Sequence, residues 1–231
     1  MLTSKTIKRL NAIVDMYKNI VPAPVLDNWK KKEDAELWTS VLRQIAVVGS
    51  AASGESVNAS LRDKNDWYTS LLSMTPRRRL TAIHGLLRDA GVRYAAEDIS
   101  KCRKTVAANY NFEVLASYGG PKSYFKKVAT ISHEGWRIAA VADDLAYVKN
   151  KGARDLLIGL GLVQHAIAFD TRLVTILKNL GAKLPDDLAA SKPKYKELET
   201  ELIEVVCKPS EITGAHFDRI LFSSYKKIVQ R

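Results

Sequence analysis

Two side chains between Val148 and Leu184 have the types and the setting to do chemistry. Lys151 stands at the start of a helix whose inward side is Ala153, Leu156, Leu157 and Leu160, closed by Gly161. Asp170 is placed to N-cap the next helix, which presents Leu173, Val174, Leu177 and Leu180 and ends at Gly181. Between them runs an apolar connector, Ala166-Ile167-Ala168-Phe169, which carries the carboxylate toward a partly dry cleft. An amine and a fixed carboxylate are the materials of nucleophilic and electrostatic catalysis. Taken singly, the same residues read as a surface lysine and a plain helix cap.

Other chemistries find no footing. The sequence has no Walker phosphate loop, no Rossmann glycine fingerprint after a strand and no HExxH helix. The four histidines, His84, His133, His165 and His216, show no ligand spacing, and no serine stands in a nucleophile elbow. The two cysteines, Cys102 and Cys207, are too few for a structural zinc or iron–sulfur site and read as free buried thiols. Neither a metal nor another cofactor is expected.

The elements that must position Lys151 and Asp170 are helices. Ile7, Leu10, Ile13, Val14 and Tyr17 make one face of a first helix that ends before Pro22. A second begins near Glu33, carries Leu37, Val41, Ile45 and Val48, and stops at Gly49. The small residues Gly49 to Gly54 read as a loop before a shorter helix through Val57 and Leu61. Thr75-Pro76 opens a helix that turns Leu80, Ile83 and Leu87 inward and ends at Gly91. Another is predicted over 96–108, with Gly119-Gly120-Pro121 as a break. Further helices are predicted near 122–131, 134–147, 152–160, 171–180, 193–207 and 215–229. No period-2 segment is long enough for a strand, so the fold class is all-α.

The 231 residues suit one domain or two intimate lobes, and hydrophobic content of 46% with 26% charged residues is the ordinary globular balance. The formal net charge is +11, which suggests an anionic partner, nucleic acid or a membrane surface, or else a merely basic exterior. Lys30-Lys31-Lys32 and Arg77-Arg78-Arg79 each sit at a helix start, where the macrodipole disfavours cations. Either phosphate neutralises them or they form a solvated face. The N-terminal residues lack a signal-peptide apolar run, and Gln164 and His165 interrupt the most apolar stretch, so no membrane span is expected.

Against this background the stretch resembles the helix-hairpin-helix DNA glycosylase superfamily, and within it the archaeal/bacterial-type 8-oxoguanine DNA glycosylase/lyases. Those carry a hairpin, then Lys-x-Ala-x-x-[Phe/Leu]-Leu-x-x-x-Gly, and shortly afterwards an Asp. Here Lys151, Ala153, Leu156, Leu157 and Gly161 stand in that register, and Asp170-Thr171-Arg172-Leu173 with Leu180-Gly181 is similar to the family's Asp-Thr-His-Val segment and its downstream Leu-Gly. Gly91-Val92-Arg93-Tyr94 resembles the group's Gly-Val-Arg-Phe, and Leu37 to Leu61 resembles its first barrel helix and following loop. Three departures stand out. The hairpin position Val148-Lys149-Asn150 has no glycine, one extra residue separates Lys151 from Asp170, and Gly49 to Ser53 offers no amide to fill the gap left by an extruded base.

The resemblance implies a two-lobed fold, with a helical barrel over 36–163 and a second lobe from 1–35 and 164–231, and an active cleft between lobes. It implies excision of an oxidised purine, 8-oxoguanine, from double-stranded DNA, followed by β-elimination. Lys151 would attack C1′ as a neutral amine, its charge disfavoured by apolar walls and by the helix N-terminus. Asp170 would stabilise the developing sugar cation. Lys149 remains a rival nucleophile. Lys149, Asn150, Arg172, Ser50 and Ser53 would bind DNA, and Phe217 and Phe222 would form the base pocket, unless these rings are core. The protein would act as a monomer in the cytoplasm, associated with the nucleoid. An oxidised-pyrimidine glycosylase, a non-catalytic DNA-binding module and a helical protein-interaction domain are the alternatives.

Overall fold

In a computed structural model the chain is described at residues 1–62, 64 and 66–230. Among these residues there are twelve α-helices and no strand, as the periodicity predicts. The chain divides into two units: Met1–Leu26 with Leu157–Arg231, and Asp27–Leu156.

The first unit is built from α1 (Ser4–Tyr17), α10 (Thr171–Asn179), α11 (Lys192–Leu202) and α12 (Gly214–Val229). Leu10 and Val14 of α1 bury against Ile176, Leu198, Phe217 and Ile220 in one apolar core. The helix predicted over 193–207 is α-helical only to Leu202 and continues as a π-turn over Ile203–Cys207. Thr3, Asp170, Ser191 and Thr213 each cap a helix start with a side-chain oxygen, satisfying amides that have no partner within the helix.

The second unit is centred on α2 (Asp34–Ala46), opened by the Glu33/Glu36 capping box. Around α2 pack α3 (Ala51–Leu61), α4 (Trp67–Leu72), α6 (Arg103–Ser117) and α7 (Pro121–Thr130), while α5 (Pro76–Asp89) packs on α3 and α6 and α8 (Glu134–Asp144) on α7. Trp38 meets Phe112 edge-on, with centroids 5.5 Å apart, at the middle of this core. The last helix, α9 (Asn150–Gly159), crosses the boundary between the units.

Several expectations are corrected. The loop predicted through Gly54 is helical from Ala51, because Gly54 is there for close packing: a Cβ would overlap Val47 Cγ1. The helix predicted over 96–108 starts at Arg103 and reaches Ser117. Before it, His84 Nε2 is tied to the Glu97 carbonyl at 3.1 Å and Asp98 caps Ser100, which holds 97–101 outside the helix. The helix predicted over 134–147 ends at Asp144. Trp67–Leu72 forms a short helix that periodicity does not reveal.

Part of each basic run is accounted for inside the protein. Arg79 is buried, donates to Asn109 Oδ1 at 3.0 Å and Glu113 Oε1 at 2.6 Å, and lies over the Phe112 ring. Lys30 pairs with Asp27 and Lys32 with Glu36. Both cysteines are free and buried. No described helix is long and apolar enough to cross a membrane.

Candidate active site

The turn into α9 is set by a clamp. Asn111 of α6 accepts from Ala146 N at 2.7 Å and donates to Ala146 O at 2.9 Å, which draws the chain out of α8. Tyr147 then takes a left-handed backbone, φ 64°. That conformation costs a residue with a Cβ roughly 1–2 kcal/mol, and the two amide bonds of Asn111 offset it. The glycine-free hairpin thus turns on a tyrosine. Val148 is buried, Lys149 is exposed, and Asn150 gives both its backbone and side-chain oxygens to Arg154 Nη1, at 3.1 and 2.6 Å.

Lys151 lies in the first turn of α9. Its ammonium is 3.3 Å from Asp155 Oδ2, one helical turn on, and the two side chains are 34% and 32% exposed. The same oxygen accepts from Gln44 Nε2 of α2 at 3.0 Å. Lys151 therefore sits in a polar, half-open setting within its own unit, rather than sealed by the apolar walls expected for it. Asp155 and Gln44 escaped the sequence reading. The i, i+4 spacing of Lys151 and Asp155 was a legible signal; the approach of Gln44 was not.

The second group of predicted residues gathers after α2. Ser53 is buried, and its hydroxyl accepts from Arg93 N at 3.0 Å, so it anchors the segment Gly91–Tyr94. Ser50 is half-buried at the N-cap of α3. Arg93 Nη1 donates to Gly49 O at 3.0 Å and stacks its guanidinium 4.8 Å from the Tyr94 ring. Tyr94 has φ 65°, is 65% exposed, and lies so close over Gly49 that a Cβ there would overlap its ring. Beneath it, buried Lys104 donates to Ala46 O at 3.0 Å and Val48 O at 2.7 Å, closing the C-terminal end of α2. Burial holds the Lys104 ammonium below its ordinary pKa. An aromatic ring is thereby presented outward from a strained, cation-flanked support.

In the first unit Asp170 caps α10, its Oδ1 accepting from Leu173 N at 2.8 Å. The connector before it is held by side chains. Glu199 Oε1 accepts from Ile167 N at 2.8 Å, Asp218 Oδ1 from Ala168 N at 3.0 Å, and the Tyr195 hydroxyl from Phe169 N at 2.8 Å. Gly214 allows α12 to approach the connector backbone, since a Cβ there would meet Ala166 O at 3.1 Å. Arg172 stacks its guanidinium 4.5 Å from the ring of Phe222, which is 45% exposed. Phe217 is fully buried in the core and presents no face to a ligand. Of the predicted residues, Lys149, Asn150, Lys151, Ser50 and Ser53 belong to one unit, and Asp170, Arg172, Phe217 and Phe222 to the other. Among the described residues no His, Cys, Asp or Glu cluster is placed to hold a metal ion.

No protein-family model matches the sequence, and no curated protein sequence matches it. Solved structures do. The 8-oxoguanine DNA glycosylase of Methanocaldococcus jannaschii superposes with a TM-score of 0.69 at 14% identity, over 94% of this chain and 91% of that one. The glycosylase/lyase from that organism in complex with a 15mer DNA containing 8-oxoguanine gives 0.68 at 17% identity, over 96% and 98%. The 8-oxoguanine DNA glycosylase of Thermotoga maritima gives 0.68 at 16% identity, over 94% and 93%. The chain has the all-helical fold of these glycosylases.

Proposed function

We propose that this protein is a DNA glycosylase/lyase that excises an oxidised purine, 8-oxoguanine, from duplex DNA, with Lys151 as its nucleophile. The observation that carries the reading is the place of Lys151, in the first turn of the helix entered through a tight turn, in a fold shared over nearly the whole chain with enzymes of that activity. The amine attacks C1′ of the damaged nucleotide, and the C1′–base bond breaks with its electrons leaving on the base. Opening of the sugar ring gives a Schiff base, and β-elimination cuts the strand. Asp170, fixed at the head of α10, stabilises positive charge developing on the sugar.

The geometry within each unit supports a role for further residues. Phe222, backed by Arg172, is the exposed ring suited to stack on an extruded base. Tyr94, held outward over Gly49, is suited to enter the stack that the base vacates. Lys149 and Arg93 supply charge for phosphates. The functional division is a barrel lobe over 36–163 and a second lobe of 1–35 and 164–231.

Borohydride trapping tests the reading. The wild-type protein forms a covalent adduct with an 8-oxoguanine duplex, and Lys151→Gln abolishes both the adduct and base release. Trapping that survives in Lys151→Gln and disappears in Lys149→Gln transfers the nucleophile to Lys149. A second reading, a non-catalytic DNA-binding module, is favoured by the absence of glycine from the hairpin. It predicts no adduct, yet binding that weakens steeply with added salt. An adduct formed with oxidised-pyrimidine DNA alone reassigns the substrate.

A further inference from the structure

We infer that Asp155 is a catalytic proton carrier for Lys151, held in place by Gln44. The inference rests on the glycosylase reading above. Asp155 Oδ2 lies 3.3 Å from the Lys151 nitrogen and 3.0 Å from Gln44 Nε2, so one carboxylate oxygen joins the reacting amine to α2. Gln44 is buried, at 4% exposure, and among the described residues its Oε1 meets no hydrogen-bond donor. A buried unpaired carbonyl is a cost that packed proteins rarely accept. Here it accompanies an amide orientation that keeps the donor on Asp155.

The proton count of the reaction gives the carboxylate its task. Lys151 begins as –NH3⁺ and ends as the –NH⁺= of the Schiff base, so two protons must leave its nitrogen. The first passes to Asp155, freeing the lone pair that bonds C1′ as the C1′–base bond breaks, and goes on to the departing base. The second leaves the nitrogen once it is bonded to carbon, again to Asp155, and goes on to O4′ as the C1′–O4′ bond opens. Three protons on the ammonium thus become one on the imine nitrogen, one on the base and one on the sugar oxygen.

In free protein both side chains are one-third exposed, so water reaches the pair. A duplex laid over them expels that water. A charged pair out of water is costly, and the neutral amine and carboxylic acid avoid the cost. Substrate binding therefore drives the transfer that makes the nucleophile.

Single-turnover base release and borohydride trapping on an 8-oxoguanine duplex are measured for wild type, Asp155→Asn, Asp155→Glu and Gln44→Leu. Asp155→Asn keeps the shape but cannot carry a proton; its base release is expected to slow by about 10²-fold with unchanged affinity for undamaged duplex. Asp155→Glu restores most of the rate, and Gln44→Leu gives a smaller loss with the same unchanged affinity. Asp155→Asn working at the wild-type rate or faster overturns the inference, as does equal loss in Asn and Glu variants whose thermal unfolding matches wild type. Wild-type protein that traps no damaged or abasic duplex overturns the glycosylase reading, and the inference with it.

Discussion

The Tyr195 hydroxyl closes on Phe169 from both sides of its peptide neighbourhood. It accepts from Phe169 N at 2.8 Å, donates to Ile167 O at 2.9 Å, and its ring tilts against Phe169 with centroids 4.7 Å apart. A buried segment that is neither helix nor strand must find partners for its backbone elsewhere. For the connector that delivers Asp170, Tyr195, Glu199 and Asp218 are those partners.

Tyr195→Phe keeps the ring and removes both hydroxyl bonds, leaving a buried N–H and a carbonyl short of partners. Chemical denaturation is expected to show a loss of about 1–3 kcal/mol. Base release slows with little change in affinity for undamaged duplex, because the displaced group is the Asp170 carboxylate and not a phosphate contact. Unchanged stability in Tyr195→Phe contradicts the strap.

The exposed rings should separate damage recognition from general DNA binding. Removal of one base–aromatic stack costs about 1–3 kcal/mol, so Phe222→Ala and Tyr94→Ala each lower activity on 8-oxoguanine duplex roughly tenfold or more. Binding of undamaged duplex changes little in Phe222→Ala. Equal losses on both duplexes make Phe222 a packing residue. Arg172→Lys also weakens activity, because an ammonium lacks the planar face that lies on the Phe222 ring.

Lys104 closes the end of α2 with two carbonyl bonds and underlies Tyr94 with its nitrogen 5.9 Å from the ring centroid. Lys104→Met preserves the stem and leaves Ala46 O and Val48 O without that donor. We expect destabilisation of about 1–3 kcal/mol, with faster amide exchange confined first to Val47–Ser53. Exchange unchanged in this segment shows that Arg93 alone suffices to hold it.

Alkaline stability carries the signature of Cys207. Burial pushes its thiol from 9.0 up to about 12. A group whose folded pKa is raised contributes stability fully below its unfolded value and loses it as pH climbs through the folded one. That contribution is therefore intact below pH 9.0 and falls away toward about 12. In melting curves taken across this window, Cys207→Ala should lose less of its Tm than wild type does, and wild-type Cys207 should resist alkylation in the folded state. Parallel curves refute the assignment.

The fold class and most helix spans were legible because they depend on local order. Leu10 with Val14 and Leu37 with Val41 announce helices by spacing alone, and Asp170 reaches Leu173 N three residues on, whatever the rest of the chain does. Where prediction and structure part, a distant residue has intervened: Val47 turns Gly54 from loop residue to packing residue, and Asn111 ends α8 by clamping Ala146.

By itself, the sequence determined the all-helical fold, the first-turn place of Lys151 and the capping place of Asp170. All follow from contacts three or four residues apart, which backbone geometry enforces within one helical turn. Only the tertiary structure decided that Ser53 is an anchor for Arg93, that Arg79 is core, that Gln44 holds the carboxylate beside Lys151, and that Tyr195 braces the approach to Asp170. Those partners lie 26 to 111 residues apart along the chain. No local periodicity brings such groups together; they meet because helix packing buries Ser53, Arg79, Gln44 and Tyr195, and a buried donor or hydroxyl finds its partner inside the protein.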